Sequence, residues 1–474
     1  MKKYLLTILA VASLWSCQKD ETYENLNKDP KNPTEVSEAF LFTSATVSLA
    51  DQMASPNVNS NVFRFLAQYL TTTTYLDEPN YDLNNRNIPQ NHWAELYADV
   101  IFDLQNAKTN TMANDGLSEP EKAARIAQIE VLEVYTWQVL VDTFGDIPYT
   151  EALDAANFTL PAYDDAATIY SDLISRIGAV SGDLQGGQGF TTADVIYGGD
   201  MSKWVKFANS VQLRLAMRIS DVNPSLSVTT ANAAIAGGVF TSNDDNALLR
   251  YQSSPPNTNP LWLDLVQSGR SDYLIADTTV DYLNELNDPR RAYYFDDNLD
   301  GDYVGGVYGD NNSYPSYTHI GEAFLDPTLP GILLDYAEVE FYLTEAAQKG
   351  GYAVTGTAKE HYEAAITASM EYAGVSAAET ATYLAQPAVA YDGTEYQLGF
   401  QFWIAMFDNP FQGWSVWRKF DAPELNIAAD SELPVPLRYT YPVNEQNLNE
   451  ANYNAASSAI GGDEQQTPLF WDVD

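Results

Sequence analysis

Apolar residues recur every three to four positions in several long segments of this chain, and this periodicity constrains its fold more than any other feature. The clearest segment begins at Ser118, which can form a capping box with Glu121, and ends at Gly145. Further amphipathic stretches lie at 93–104, 166–177, 204–215, 334–346 and 362–369. Because such stretches bury one face against a neighbour, the chain is predicted to be mainly α-helical.

The predicted helices come in pairs, as they do in tetratricopeptide-like repeats. Gly350 and Gly351 separate the last two and provide a turn between them. An unrelated helical bundle is the alternative, because the intervals between pairs are much longer than one repeat. Residues 250–330 are instead rich in Pro, Gly, Asn, Asp and Tyr, and they predict a long loop-rich remainder of the kind that often carries function.

The N-terminus has the pattern of a secretory signal. Lys2 and Lys3 precede a short apolar run, and Ser16 stands before Cys17, the single cysteine of the chain. We interpret residues 1–16 as a signal peptide and Cys17 as the acylated residue of a lipobox; an incidental thiol is the alternative. Residues 17–35 are polar and without periodicity, so we expect a lipidated N-terminus and tether, followed by one domain over residues 36–474.

Charge and composition exclude several classes of function. Sixty-five Asp and Glu against 24 Lys and Arg give a formal net charge of −41, which argues against nucleic acid and anionic membrane surfaces as partners. One cysteine excludes a disulfide framework and a cysteine-based zinc site. The sequence has no serine nucleophile elbow, phosphate-binding glycine loop or paired-histidine zinc helix. Two catalytic carboxylates could be hidden among so many acids, so a hydrolase stays an alternative.

One acidic run has the spacing of a calcium-binding loop. Asp296, Asn298, Asp300 and Asp302 place oxygen-bearing side chains at alternate positions, and Gly301 lies where such a loop turns. Calcium is therefore a candidate ligand of this run. A solvated acidic turn is the alternative, since no predicted helices flank the run as they would in an EF-hand.

Several segments together resemble the SusD/RagB family of nutrient-binding outer membrane lipoproteins, especially its second SusD-like branch. These segments occur in order over nearly the whole chain, and together they are specific for this family. They are the lipobox with CQKDE, NLNKDPKNP from Asn25, DTFGDIPYTEA from Asp142, KWVKFANSVQLRLAMRIS from Lys203, LLDYAEVEFYLTEAA from Leu333, GWSVWRKF from Gly413 and LRYTYPVNEQNLNEANYNAA from Leu437.

The resemblance implies a SusD-like α-α superhelix of tetratricopeptide-like helix pairs with a loop-rich remainder. It implies a lipid-anchored protein on the cell surface that binds an oligosaccharide or peptide and delivers it to a TonB-dependent SusC-like transporter. Members of the family have no catalytic residues, and the role requires no cofactor. Some members bind calcium, which keeps that ion open for the acidic run.

Ligand-binding residues are expected in the loops, because a sugar ring offers an apolar face to aromatic side chains and a polar rim to amides, carboxylates and arginines. We expect loop 70–90 and loop 300–320 to converge on one patch. The candidates are Tyr75, Asp77, Tyr81, Asn84, Arg86, Trp262, Arg270, Tyr273, Tyr314 and Tyr317. Tyrosines that pack inward and close the core are the alternative interpretation.

Overall fold

The computed structural model describes residues 36–431 and 433–473. The predicted signal peptide, the predicted acylation at Cys17 and the predicted tether lie outside the described residues. Helices dominate the described chain, and the predicted mainly α-helical fold with paired helices is confirmed. Among the described residues, no helix has both the length and the apolar character needed to span a bilayer.

Helices occupy most of the first half of the described chain. Up to residue 237 they are α1 Glu38–Ala54, α2 Phe63–Leu66, α3 Ile88–Ala94, α4 Phe102–Ala113, α5 Glu119–Phe144, α6 Ala166–Ala179, α7 Ser181–Gly186, α8 Met201–Arg218 and α9 Pro224–Gly237. A π-helical turn at Glu95–Ile101 joins α3 to α4, so the stretch predicted at 93–104 is part of one longer helical segment.

The second half alternates helices with short strands. Its helices are α10 Pro260–Trp262, α11 Asp277–Glu285, α12 Arg291–Tyr294, α13 Tyr336–Lys349, α14 Ala358–Tyr372, α15 Ala377–Leu384, α16 Glu395–Ala405, α17 Pro410–Phe420, α18 Val443–Leu448 and α19 Glu450–Ala459. The strands are β1 Leu70–Thr72, β2 Ala247–Leu249, β3 Tyr273–Ile275 and β4 Gly331–Leu334. The region 250–330 is therefore less irregular than its composition predicts.

Local sequence explains where the long helices begin and end. The predicted capping box forms at the start of α5, where the Ser118 amide donates to Glu121 Oε2 over 2.9 Å. The helix predicted from residue 334 begins only at Tyr336, because Leu334 belongs to β4 and Asp335 caps the helix by accepting a hydrogen bond from the Glu338 amide. The predicted start of this helix was wrong because its first residue belongs to a short strand. A buried apolar run is compatible with either a strand or a helix.

Consecutive helices pack as pairs, and the pairs pack on one another. Helix α8 packs on α9, α13 on α14 and α16 on α17, while α13 also contacts α8 and α16. A fully buried ion pair crosses between two of these pairs, with Arg214 Nε 2.7 Å from Glu338 Oε1. Removing either partner would leave an uncompensated charge inside the stack, so the pair fixes how α8 and α13 meet.

Candidate functional site

A two-stranded antiparallel sheet brings the predicted binding loops together. Strand β1 pairs with β3, and Thr72 lies opposite Tyr273. The pairing continues beyond the strands, because the Thr73 amide donates to the Asp272 carbonyl over 2.9 Å and Thr73 Oγ1 donates to the Ser271 carbonyl over 2.8 Å. The residues after β1 and those before β3 are therefore held side by side at the surface.

A third segment closes on the same sheet. Ala276, directly after β3, forms a parallel bridge with Gly306. Asn80 donates to the carbonyl of Gly309 over 2.7 Å. Asn312 donates to the carbonyl of Thr72 over 3.1 Å. Loop 70–90 and loop 300–320 thus meet, as the sequence interpretation expected, and β3 lies at their junction.

The surface at this junction is built around one tyrosine, and we call it the Tyr75 patch: Tyr75, Arg86, Arg270 and Asp272. Arg270 Nη1 donates a hydrogen bond to the Tyr75 hydroxyl over 2.8 Å. The guanidinium carbon of Arg86 lies 4.9 Å from the centroid of the Tyr75 ring. Tyr75 is half-buried, and two guanidinium groups contact it, one at the hydroxyl and one over the ring.

The two arginines of the Tyr75 patch differ in how strongly they are neutralised. Arg86 Nε donates to Glu78, a carboxylate with a fully buried side chain. Arg270 lies only within 3.6 Å of Asp272, and its side chain is 57% exposed. Arg270 therefore keeps donors available to an oxygen of a bound molecule, whereas Arg86 is committed to the fold.

Titratable groups around the patch respond mainly to burial. Burial raises the pKa of the Tyr75 hydroxyl, and the nearby Asp272 carboxylate raises that pKa further while Arg270 opposes the shift. Burial also raises the pKa of Glu78, against the lowering effect of Arg86. At neutral pH the tyrosine is thus a neutral hydrogen-bonding phenol beside charged guanidinium groups.

Tyr314 lies at the edge of this region. Its ring stacks on the imidazole of His319 with centroids 3.8 Å apart, and its carbonyl is 3.0 Å from His319 Nε2. Burial raises the pKa of its hydroxyl, and a hydrogen bond with the Ser271 side chain opposes that shift. Ser271 precedes Asp272, so Tyr314 borders the Tyr75 patch and can widen it.

Other predicted residues have different positions. Tyr81 and Tyr273 lie in the core, 3% and 4% exposed, so protein covers their rings and the interpretation of these two as ligand contacts was wrong. Tyr81 packs toward Tyr308, with ring centroids 6.3 Å apart. For these two residues the alternative interpretation is confirmed, because both tyrosines pack inward and close the core.

The remaining candidates are accessible in part but are spread around the loops. Asn84 is exposed, and the half-buried Asp77 accepts a hydrogen bond from the Asn85 side chain. Trp262 is half-buried at the end of α10, and Tyr317 is half-buried in the third segment. The structure thus assembles Tyr75, Arg86 and Arg270 directly, with Tyr314 beside them.

The acidic run, a candidate for calcium or for a solvated acidic turn, has one of its four residues bound into the protein. Asn298 is engaged at both ends of its side chain: Nδ2 donates to the Tyr317 carbonyl over 2.9 Å, and Oδ1 accepts from the His319 amide over 3.0 Å. Among the described residues no group of three or more His, Cys, Asp or Glu side chains is placed to hold a metal ion. Asp296, Asp300 and Asp302 therefore do not form a carboxylate cluster by themselves, and calcium at this run stays a prediction.

Sequence reasoning missed Asp272 and Ser271. Asp272 accepts a hydrogen bond from Thr74 Oγ1 over 3.2 Å and so ties the two loops at the patch. Both residues directly follow Arg270 in the sequence, and their closeness to that candidate could have suggested that they belong to the site. Nothing in the local pattern showed, however, that this segment would pair with residues 70–73.

Residues 30–442 match the SusD-like family model, described as starch-binding and associating with the outer membrane. A solved chitin-binding protein is 27% identical and has a TM-score of 0.79, covering 92% of this chain and 100% of its own. A SusD-like protein from Bacteroides thetaiotaomicron is 25% identical, with a TM-score of 0.77 and coverage of 92% and 99%.

A chitin-binding SusD homolog from Flavobacterium johnsoniae is 24% identical, with a TM-score of 0.76 and coverage of 92% and 98%. At that identity the likeness shows the fold. No curated protein matches the chain significantly.

Proposed function

Because this chain belongs to the SusD-like family, whose members associate with the outer membrane, we propose that it binds an oligosaccharide at the Tyr75 patch without cleaving it. The observation that carries the proposal is the half-buried tyrosine ring with an exposed arginine hydrogen-bonded to its hydroxyl. An aromatic ring can pack on the apolar face of a sugar, and a guanidinium can donate to the hydroxyl or carbonyl oxygens of its rim.

The ligand class follows from chemistry and from relatives. The family description names starch, and the relative at 27% identity is a chitin-binding protein. Both are neutral polysaccharides, which suits a chain of net charge −41 better than a polyanionic glycan does. An acetamido carbonyl, as in chitin fragments, is a suitable acceptor for the free donors of Arg270.

The proposed cellular role is capture and hand-over. A protein acylated at Cys17 would be held at the outer membrane, and the bound oligosaccharide would pass to a TonB-dependent SusC-like transporter. The family membership and the lipobox pattern support this role. A peptide is the second ligand class that the role allows.

A binding screen followed by calorimetry tests the proposal. The purified chain from residue 18 onward is applied to an array of starch, chitin and other oligosaccharides together with peptides, and the best ligand is titrated by calorimetry. We expect saturable binding of an oligosaccharide and no new reducing ends after prolonged incubation. Release of reducing ends would favour the hydrolase alternative, and binding of peptides alone would replace the ligand class.

A further inference from the structure

A small internal cavity of about 20 Å³ lies where several helices of the second half meet. Its wall includes Asp335 at the start of α13, Tyr294 of α12 and Ser369 of α14. Asp408 and Asn409, in the turn between α16 and α17, complete it. The cavity is thus at a junction of four elements and is remote in sequence from Tyr75 and Arg270.

Two residues that line this cavity each have a polar side-chain atom without a hydrogen-bond partner in the part of the chain that the structure describes. Among the described residues, Asp408 Oδ2 and Asn409 Nδ2 are both buried and make no hydrogen bond. Asn409 is only 3% exposed, so bulk solvent does not reach its amide freely. The carboxylate oxygen of Asp408 is a hydrogen-bond acceptor, and the amide nitrogen of Asn409 is a donor. An unmade hydrogen bond at a buried polar group costs about 1–3 kcal/mol, so these two groups on consecutive residues call for a partner.

The neighbouring polar atoms are already engaged. Asp408 Oδ1 accepts from Arg64 Nη2 over 3.4 Å. Asp335 Oδ1 accepts from the Glu338 amide over 2.7 Å. Ser369 Oγ accepts from Arg290 Nη1 over 3.0 Å. The unmet hydrogen bonds are therefore localised on the Asp408–Asn409 turn.

We propose that this cavity is a binding site for a single internal water molecule, which donates to the carboxylate of Asp408 and accepts from the amide of Asn409. The volume suits one molecule, since a cavity needs roughly 10–15 Å³ of such space to hold a water. A water has both a donor and an acceptor, and it satisfies the Asn409 amide in either orientation.

The charges around the cavity favour water over a cation. Burial raises the pKa of Asp335 to about 7 and that of Asp408 to about 6. The charges of Glu338 and Asp408 raise the pKa of Asp335 further, whereas the hydrogen bond from the Glu338 amide and the charge of Arg214 lower it. At Asp408, Arg64 opposes the effect of burial on the pKa. Tyr293, Tyr294 and Tyr372 also line this space. Arg64 already supplies the positive charge, and a cation would leave the Asn409 donor unsatisfied.

A crystal structure at a resolution that shows ordered water tests the site directly. Crystals are grown in a rubidium salt, and data are collected at the rubidium absorption edge. We expect one peak within hydrogen-bond distance of Asp408 Oδ2 and Asn409 Nδ2, without anomalous signal. An empty cavity overturns the proposal, and so does a rubidium peak.

A solution measurement tests the same water without a crystal. Oxygen-17 magnetic relaxation dispersion counts slowly exchanging waters in the folded protein. Asn409→Leu removes the donor and fills the cavity, and it should lose one such water relative to the unchanged chain. Asn454→Leu, at an exposed asparagine of α19, should lose none. An unchanged count in folded Asn409→Leu, with the fold checked by circular dichroism, contradicts the proposal.

Discussion

Arg270 donates a hydrogen bond to the hydroxyl of Tyr75 over 2.8 Å, although the two residues are 195 positions apart in the chain. The contact exists because β1 pairs with β3. Tyr75 follows Thr72 by three residues and Arg270 precedes Tyr273 by three, so the pairing places them side by side. Arg86 approaches the same ring to 4.9 Å. The geometry is thus set by backbone pairing, and the side chains at the end of the pair can be changed without removing the scaffold.

Arg270→Ala should weaken oligosaccharide binding by about 10-fold or more. A hydrogen bond to a charged group contributes about 1.5–3 kcal/mol, and about 1.4 kcal/mol corresponds to a tenfold change in affinity. Tyr75→Ala should reduce affinity at least as far, because it removes the packing surface and the partner of Arg270. Calorimetry with the best ligand from the array measures both effects.

Two exposed side chains elsewhere give matched controls for this prediction. Lys359 is a cation with a 62% exposed side chain, paired with Glu363 along α14, and Tyr396 is 49% exposed on α16. Lys359→Ala and Tyr396→Ala should leave affinity unchanged within about twofold, since surface changes away from a site have small effects. Equal losses in controls and patch variants would show that the Tyr75 patch is not the binding site.

Gly413→Ala should destabilise the fold. A Cβ at Gly413 would lie 2.2 Å from the Tyr69 hydroxyl, which is buried and donates to the Trp403 carbonyl. Overpacking of this kind costs typically about 1–3 kcal/mol. Gly182→Ala is the matched control, because a Cβ there meets nothing within 4 Å. Urea unfolding should give a lower free energy for the first variant and an equal or higher one for the second; equal values for both would contradict the close packing.

The sequence predicted those features of the fold that depend on neighbouring residues, namely the positions and ends of several helices. The capping box at Ser118 fixes where α5 begins, and helical periodicity located α6 and α8. The β1–β3 pairing joins segments about 200 residues apart, and three-residue strands leave no periodicity to detect. For that reason Arg270 was a candidate but its contact with Tyr75 was unpredictable. Tyr81 shows the same limit, because aromatic loop residues look alike whether they face solvent or the core.

Cys17→Ser should release the protein from the membrane. The lipobox prediction makes Cys17 the only acylation site, and each buried methylene of an acyl chain contributes about 0.8 kcal/mol to membrane binding. In fractionated cells the unchanged protein should sediment with the outer membrane and the variant should not. A chain that still sediments after Cys17→Ser, or a mature N-terminus without acyl groups in mass spectrometry, would contradict the anchor.

His92 is buried and has no ionic partner within residues 36–431 and 433–473, and this makes the stability of the fold sensitive to acid. Burial lowers its pKa from the usual 6.5 to about 3, with no second cause. Its Nδ1 is 2.7 Å from Gln52 Nε2, and Gln52 also donates to the Ser60 carbonyl. Between these two pKa values the unfolded chain takes up a proton that the folded chain does not, so stability falls as pH drops below 6.5.

His92→Phe should remove this part of the pH dependence. From pH 7.5 to pH 5 the unchanged protein should lose about 2 kcal/mol relative to the variant, from the proton uptake of an unfolded histidine with pKa 6.5. In the variant Gln52 can still donate its hydrogen bond to the Ser60 carbonyl. A phenyl ring can pack against the aromatic neighbours of His92, such as Phe63. His361→Gln is the opposite control: a hydrogen bond with Glu340 raises the pKa of His361, so its stabilisation is present at low pH and is lost as pH rises. Urea unfolding across this pH range measures both, and parallel curves for wild type and His92→Phe would contradict the account.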